Sequence, residues 1–281
     1  MMVEFRRRQN LGGKIGLYAL LIICTIMMLF PFYWLLRSAF MSSREIFSVP
    51  MKWWPSHLLW SNFVDTFQDA PFALYFRNTI FLVAVNLIGA IFSNSFIAFG
   101  FARIRFKGRN FWFACVLLTM MIPSIVMFIP QFIGWKELGA YNSYWPLTLP
   151  SFFGNAFFIF LLRQFYMTIP IEYDEAAFMD GANYFTIYRK IILPLSKPAL
   201  VTVGVFTFMG TWNDYFNPML YLNNQKLWTL QLGLQSFMGQ YTSSWQLIMA
   251  GALITLLPML IVFFFAQRAF IEGISLSGVK G

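Results

Sequence analysis

Six long apolar stretches divide this sequence, and no other feature restricts its fold as strongly. They cover residues 15–36, 79–101, 111–135, 145–165, 199–222 and 247–270. A helix needs about 20 apolar residues to cross the hydrocarbon core of a bilayer. Lipid offers backbone groups no hydrogen-bond partner, so a span of this length is satisfied as a helix. We therefore expect an all-α polytopic membrane protein with about six transmembrane helices, forming a single domain over residues 1–281.

The composition agrees with a membrane location. Hydrophobic residues make up 59% of the chain and charged residues 11%, whereas an average soluble domain has about 25% charged residues. A water-soluble fold could not cover so much apolar surface. The first stretch is too long for the apolar part of a signal peptide and no small-residue cleavage site follows it, so we expect a retained helix. Pro123 and Pro130 in the third stretch and Pro258 in the last predict kinks or breaks.

The distribution of lysine and arginine predicts the orientation. With six spans and the amino terminus inside, 14 of the 20 basic residues fall on the cytoplasmic side, including residues 6–8 before the first span. This bias places both termini in the cytoplasm of a cell-membrane protein. Arg103, Arg105, Lys107 and Arg109 fix the short loop between the second and third spans, and we attribute most of their role to topology. Because the positive charge lies in short clusters between apolar runs, we expect no nucleic-acid binding.

The segment between spans four and five, residues 168–198, differs from the other loops. Thr168 and Pro170 favour a helix start, and Gly181 can end a helix in a left-handed conformation. A second short helix is expected to follow and to stop before Pro194, because a residue that precedes proline is disfavoured in a helix. The segment is therefore predicted to form two short helices joined by a glycine turn on the cytoplasmic face.

The first of these two helices combines small, acidic and apolar positions. Its small residues allow another surface to approach closely, and its acids complement the helix dipole in the first turns. Such a helix suits docking into a cleft of a partner protein. An ordinary amphipathic helix at the membrane interface would have a similar composition, and the residues alone leave both interpretations open. The candidate docking residues are Glu172, Glu175, Ala176, Ala177, Asp180 and Gly181.

The sequence of this helix resembles a known motif. The run Glu-Tyr-Asp-Glu-Ala-Ala-Phe-Met-Asp-Gly-Ala begins at Glu172, is followed by Leu193-Pro194-Leu195 and Lys197-Pro198, and resembles the EAA motif of ABC importer permeases. In that family two permease subunits form the pathway, and the EAA loop seats in a groove of a cytoplasmic ATPase subunit. The resemblance implies the type I ABC importer permease fold and identifies the six candidate docking residues as ATPase-coupling residues.

Two further segments resemble the carbohydrate-uptake branch of that family, the maltose-permease-like subunits. They are Trp212-Asn213-Asp214 with Pro218, and the carboxyl-terminal residues 270–281. The resemblance implies import of a sugar or oligosaccharide that an extracytoplasmic solute-binding protein delivers. It also implies nucleotide-binding ATPase subunits and a second permease subunit, paralogous rather than identical. In this branch the outer loop between the last two spans, here residues 223–246, reaches into the binding protein.

The chain has no phosphate-binding loop of the Gly-x-x-x-x-Gly-Lys-Ser/Thr type. We therefore expect no cofactor in this chain, with ATP and Mg²⁺ bound by the partner ATPase. The permease would take its driving force from that partner across the coupling segment.

Several polar residues lie within the apolar stretches. A charge at the bilayer centre costs roughly 2.5–3.5 kcal/mol on insertion scales, so such a group is expected to face a solute pathway, a partner helix or a boundary. Amides also simply join helices, at about 0.6 kcal/mol per pair. Aromatic rings suit the apolar face of a sugar. The candidate pathway-lining residues are Asn94, Asn155, Trp212, Asn213 and Asp214.

Two alternative functions make different demands on the sequence. A secondary transporter or channel for a small polar solute needs no ATPase, and a secondary transporter is expected to carry coupling carboxylates in the membrane, for which Asp214 is the one candidate. An intramembrane enzyme needs a nucleophile or metal ligands, but the single histidine, His57, lies in an outer loop without evident partners. We expect neither catalysis nor a metal site in this chain.

Overall fold

The structure is a computed structural model that describes residues 11–238 and 244–278. These residues are mainly helical, which confirms the predicted all-α fold. The α-helices are Leu11–Ala39 (α1), Ser43–Ile46 (α2), Ser61–Asp69 (α3), Phe72–Arg103 (α4), Arg109–Thr119 (α5), Ser124–Glu137 (α6), Trp145–Thr148 (α7), Ala156–Thr168 (α8), Glu172–Met179 (α9), Tyr184–Ile187 (α10), Leu193–Leu195 (α11), Lys197–Trp212 (α12), Phe216–Tyr221 (α13), Leu230–Ser236 (α14) and Trp245–Gly278 (α15). Short 3₁₀ helices cover Leu149–Phe153 and Gln225–Leu227, and a π-helical turn covers Tyr188–Ile192.

The helices supply between four and six candidate membrane spans. In the described ranges, four segments are long and apolar enough to cross a bilayer: Gly13–Ala39, Phe72–Arg103, Trp145–Thr168 and Trp245–Gln267. Two more spans result if each of two bent helix pairs counts as one. These pairs are α5 with α6, bent by 92°, and α10–α11 with α12, bent by 78°. The prediction of a polytopic helical protein is confirmed, but the third span is not one straight helix.

The three prolines predicted to disturb helices differ in their effect. Pro123 lies between α5 and α6, at the 92° bend. Pro130 lies inside α6 and Pro258 inside α15, and both helices continue through them. Neighbouring groups in a membrane bundle can satisfy the carbonyl that a proline leaves unpaired, so a helix can continue past it.

The prediction of one continuous helix over the fifth stretch, residues 199–222, is wrong. α12 ends at Trp212, and α13 starts at Phe216. Asp214 lies in the break, where its carboxylate accepts hydrogen bonds from the backbone N–H of Asn217 (3.1 Å) and from the Asn217 side-chain amide (2.9 Å). The first N–H groups of a helix lack partners within the helix, so the Asp214 carboxylate allows α13 to start within an apolar region.

The described residues form two compact units, and the first contains those from Leu11 to Asp69 together with residues 237–238 and 244–254. α1 exposes apolar side chains along most of its length, as expected of a helix that faces lipid or another membrane subunit. Its carboxyl end is held by Asn62, whose side-chain amide donates to the carbonyl oxygens of Ala39 and Met41, both at 2.9 Å.

The second unit contains Ala70–Ser236 and the residues from Thr255 onward. α4 packs against α8 and α12 in this unit. The buried core consists of Ala98, Phe99, Phe113, Ile159, Leu162, Tyr166, Ile169, Ile187, Tyr188, Ile192, Ala199 and Val203. Because this core includes residues of α10 and of the π-helical turn, the segment between spans four and five is packed onto the spans rather than free of them.

The segment over residues 168–198 contains two helical pieces, as predicted, but with other boundaries. Thr168 is the last residue of α8 rather than a helix start, and its hydroxyl donates to the carbonyl of Phe165 (2.7 Å). α9 starts at Glu172. The second piece does not stop before Pro194, because it continues through the π-helical turn and α11 to Leu195. Pro194 is tolerated at the start of α11, where the wider π turn has already changed the hydrogen-bond pattern.

Candidate functional site

α9 has an exposed face and a buried face. Asp174 is buried, and Ala177, one turn later on the same face, is half-buried against the core of the second unit. Met179 is 89% exposed at the end of the helix. The remaining candidate coupling residues, all exposed, are Glu172, Glu175, Ala176, Asp180 and Gly181. The structure therefore places acids, a small residue and an apolar side chain together on one accessible surface, which we call the coupling surface.

The end of α9 has the geometry that the sequence predicted for Gly181. Gly181 adopts a φ of +79°, in the left-handed region. Its N–H donates to the carbonyl of Phe178 (3.0 Å), and the N–H of Ala182 donates to the carbonyl of Ala177 (2.9 Å). This pair of hydrogen bonds closes the helix and satisfies two of its last carbonyls. The chain therefore turns sharply at the edge of the coupling surface.

The buried face of α9 contains an ion pair that sequence analysis missed. Oδ2 of Asp174 lies 3.6 Å from Nε of Arg103, the last residue of α4. Burial raises the pKa of the Asp174 carboxyl, and the charge of Arg103 acts in the opposite direction. One feature of the sequence indicates this burial: Asp174 precedes Ala177 by three residues and therefore lies on the same face of α9. Arg103 was attributed to topology, although it is buried.

A second basic residue of the predicted cytoplasmic side also holds a helix end. Nε of Arg163 donates to the carbonyl of Phe101 (3.3 Å), and its guanidinium lies 4.1 Å from the centre of the Phe113 ring. The contact joins α8 to α4, and the aromatic ring stabilises the cation. Both arginines thus act in packing in addition to the topological role expected of them.

A cavity of about 510 Å³ lies within the second unit. Residues of α4, of the 3₁₀ helix before α8, of α12 and of the break before α13 line it. Its polar lining residues are Asn86, Asn94, Ser151, Asn155, Thr207, Thr211, Asp214 and Asn217. The remaining lining residues are apolar, and Asp214 is the one charged residue among them. Amides and hydroxyls both donate and accept hydrogen bonds, so the cavity suits an uncharged polar ligand.

Three of the five candidate pathway residues meet at this cavity. Oδ1 of Asn94 accepts a hydrogen bond from the backbone N–H of Asn155 (2.6 Å), and Nδ2 of Asn94 donates to the carbonyl of Ala90 (2.6 Å). Asn86, a neighbour on α4, donates to the carbonyl of Leu147 (3.0 Å). These amides join helices and line the cavity at the same time.

The other two candidates lie away from the cavity lining. Trp212 is buried, with its ring stacked on Phe208, and its Nε1 donates to the carbonyl of Thr255 (3.1 Å). Asn213 is exposed, and its side-chain amide donates to the carbonyl of Met209 (2.9 Å). Trp212 therefore holds α12 to α15, and Asn213 closes the end of α12.

A bundle of apolar helices with a polar cavity and an exposed acidic helix is typical of one class, the multi-pass transport proteins of the membrane. Comparison with known families narrows this class. The family of binding-protein-dependent transport system inner membrane components matches residues 87–275. This chain belongs to that family, and it is a permease component in the cell membrane. The predicted membership of the ABC importer permeases is confirmed.

Individual relatives agree with the family over nearly the whole chain. The arabinooligosaccharides transport system permease protein AraQ of Halalkalibacterium halodurans is 31% identical, with 90% of this chain and 91% of that protein covered. The sn-glycerol-3-phosphate transport system permease protein UgpE of Salmonella typhi is 35% identical, with 97% and 98% covered. A crystal structure of a bacterial ABC transporter involved in the import of the acidic polysaccharide alginate contains a chain with a TM-score of 0.83 and 25% identity, with 94% and 98% covered. The fold is therefore that of an ABC importer permease.

Proposed function

We propose that this chain is the permease subunit of a sugar or oligosaccharide importer, that it forms half of the translocation pathway, and that separate ATPase subunits dock on its coupling surface. ATP and Mg²⁺ bind to those ATPase subunits. An extracytoplasmic binding protein delivers the solute, and a second, paralogous permease subunit completes the pathway. Both termini and the coupling surface lie in the cytoplasm, in line with the bias of the basic residues.

The observation that carries the proposal is the arrangement of α9. Glu172, Glu175 and Ala176 of this helix are exposed. On the opposite face Asp174 is buried, and Ala177 packs against the core of the second unit. A helix that is accessible on one face and packed against the core on the other can transmit the movement of a docked partner to the core. The run of residues that resembles the EAA motif lies on this helix, in a chain of the family in which that motif contacts the ATPase. This combination supports a coupling helix over an amphipathic helix that only rests on the bilayer surface.

The cavity supports a solute that is rich in hydroxyl groups and uncharged. Its amides and hydroxyls can exchange hydrogen bonds with sugar hydroxyls. Basic residues are absent from its lining, and the Asp214 carboxylate already accepts hydrogen bonds from Asn217. An anionic solute would therefore lose its hydration there without gaining a compensating charge. Of the solutes named for the relatives, an arabinooligosaccharide fits this chemistry better than glycerol phosphate.

Site-specific photo-crosslinking tests the docking. The photoreactive residue p-benzoylphenylalanine replaces Ala176 on the coupling surface, and in a matched control it replaces Glu137, which is exposed at the end of α6. In the transporter purified with its ATPase, the label at 176 is expected to join the two chains in a nucleotide-dependent yield. The label at 137, on the predicted outer side, is expected to give no such product.

Two results would contradict the proposal. One is a fully active transporter in which the label at 176 never reaches the ATPase in any nucleotide state. The other is solute uptake by the chain alone in vesicles without ATP, which would instead support the secondary transporter or channel.

A further inference from the structure

Arg103 joins the ends of two candidate spans. It is the last residue of α4, and its side chain is 4% exposed. Its Nη2 donates to the carbonyl oxygens of Tyr166 (2.8 Å) and Ile169 (2.7 Å), at the carboxyl end of α8. The last carbonyls of a helix have no partner within the helix, and they carry the negative end of its dipole. A forked, permanently charged guanidinium suits this position, so it fixes the end of α8 against the end of α4.

The same side chain reaches α9. Asp174, whose side chain is 5% exposed, places Oδ2 3.6 Å from Nε of Arg103. At this distance the contact is one of charge rather than a hydrogen bond. Nε of Arg103 and Oδ1 of Asp174 are buried, and neither makes a hydrogen bond in the described part of the chain. Each charge therefore depends on the other, because removal of one leaves its partner buried without compensation.

The burial of these two residues sets them apart from their neighbours. Arg105, two residues along in the same basic cluster, is exposed, and so are Glu172 and Glu175 on either side of Asp174. A basic residue that serves only to orient a protein in the membrane acts equally well in contact with water. In contrast, Arg103 and Asp174 are buried, and they lie together between α4, α8 and α9.

A second contact ties α4 to the chain that follows α9. The hydroxyls of Ser95 on α4 and Tyr188 in the π-helical turn lie 2.7 Å apart, and both residues are buried. α9 is therefore attached to α4 through its own buried face and again through the next helical piece. A force on the coupling surface would move these attachments together.

We propose that the Arg103–Asp174 pair is a latch that positions α9 on the ends of the second and fourth spans, so that ATPase movement reaches those spans. Arg103 and Asp174 are positioning residues, because they act through α9 rather than by contact with the ATPase or the solute. The inference rests on the proposed docking of an ATPase on the coupling surface.

Spin-label distances test the latch in the full chain within the assembled transporter. Native Cys24 and Cys115 are replaced by serine, and labels are placed on cysteines at Lys107 and Tyr173, both exposed. In Asp174→Asn and Arg103→Gln the distribution of distances between the labels is expected to broaden. The exposed Arg105→Gln is the matched control and is expected to keep the narrow distribution. An unchanged distribution in both latch variants would overturn the proposal.

The functional measurement separates positioning from general stability. Without labels, Asp174→Asn and Arg103→Gln are expected to keep the ATPase bound but to transport about fivefold less solute per ATP hydrolysed. Arg103→Lys, which keeps the charge but loses the fork, should fall between them and the unmodified chain. Equal losses of assembly, ATP hydrolysis and transport, or transport per ATP equal to that of Arg105→Gln, would overturn the latch. Failure of the docking itself would show differently, as an unmodified chain that retains no ATPase, and the distance measurement repeated on that purified full chain alone would still report on the pair.

Discussion

Oδ1 of Asn94, in the middle of α4, accepts a hydrogen bond from the backbone N–H of Asn155 at 2.6 Å. Asn155 in turn caps α8, since its Oδ1 accepts from the N–H groups of Phe157 (3.0 Å) and Phe158 (3.3 Å). Two amides in series thus fix the start of α8 to α4. Both line the polar cavity. The side chains that line the cavity therefore also fix the positions of the helices around it.

The first prediction concerns Asn94 itself. In Asn94→Leu the N–H of Asn155 loses its acceptor in a part-buried contact, which should lower the free energy of unfolding by about 0.5–1.5 kcal/mol. The apparent unfolding temperature of the purified protein, followed by tryptophan fluorescence, measures this loss. Asn213→Leu is the control, because Asn213 is exposed and bonds only within its own helix end. Equal unfolding temperatures for the two variants would contradict the role of Asn94 as a joint.

The second prediction compares two glycines of α4. A Cβ on Gly89 would overlap Oγ of Ser151 and lie 2.9 Å from ring atoms of Phe152, whereas a Cβ on Gly100 would meet nothing within 4 Å. Gly89→Ala should therefore destabilise the protein by about 1–3 kcal/mol through overpacking. Gly100→Ala should be neutral or stabilising by up to about 1 kcal/mol, because alanine favours a helix. Thermal unfolding of the two variants measures this difference. An equal change in unfolding temperature for both would contradict the close approach of Gly89 to Ser151 and Phe152.

The third prediction concerns the end of α9. Gly181 has a φ of +79°, and its missing Cβ faces open space, so conformation alone limits substitution. Gly181→Val should strain this turn by about 1–2 kcal/mol, since β-branched residues avoid the left-handed region. Gly181→Asn, which tolerates that region, is the matched variant.

Solute-stimulated ATP hydrolysis by the assembled transporter measures the effect at Gly181. The valine variant should insert in the membrane but lose stimulation or release the ATPase, while the asparagine variant should keep most of it. Full stimulation with valine would argue that the turn does not position the coupling surface.

The fourth prediction concerns pH and the first unit. Glu45 accepts hydrogen bonds from the backbone N–H of Ser56 (2.8 Å) and from Nζ of Lys52 (3.3 Å). The side-chain hydrogen bond with Ser56 is the largest cause that lowers the pKa of Glu45 below its ordinary 4.5, and the backbone hydrogen bond from Ser56 lowers it further. A carboxyl with a depressed pKa in the folded state stabilises that state above pH 4.5 and loses this contribution as pH falls through the lowered value.

Hydrogen exchange at the Ser56 amide reports on this contact. Its protection, corrected for the intrinsic effect of pH, should fall as the solution is acidified below pH 4.5. In Glu45→Gln the protection should no longer depend on that titration. The same acid dependence in both proteins would assign it to another group.

Much of the candidate site could be predicted from the sequence because its residues are close together along the chain. Gly181 ends α9 as expected, and the residues of the coupling surface lie close together in the sequence, between Glu172 and Gly181. The boundaries at Thr168 and Pro194 were wrong because local preferences yield to packing: α8 extends to Thr168, and the π turn carries the chain through Pro194. The positions of Trp212 and Asn213 outside the cavity lining depend on the break in span five, which hydropathy does not reveal.

The sequence by itself determined the membrane class, the approximate spans and the position of the short helices between spans four and five. Hydropathy is a local property, and the bilayer imposes a fixed thickness on every segment that crosses it. Tertiary structure alone decided which of three adjacent acids turns inward, and which arginine meets it. Asp174 and Arg103 come together only because α4, α8 and α9 pack at one point, joining Arg103 to a carbonyl 63 residues away. The cavity has the same origin, since Asn94 and Asp214, which are far apart in the sequence, line one cavity only when their helices pack together.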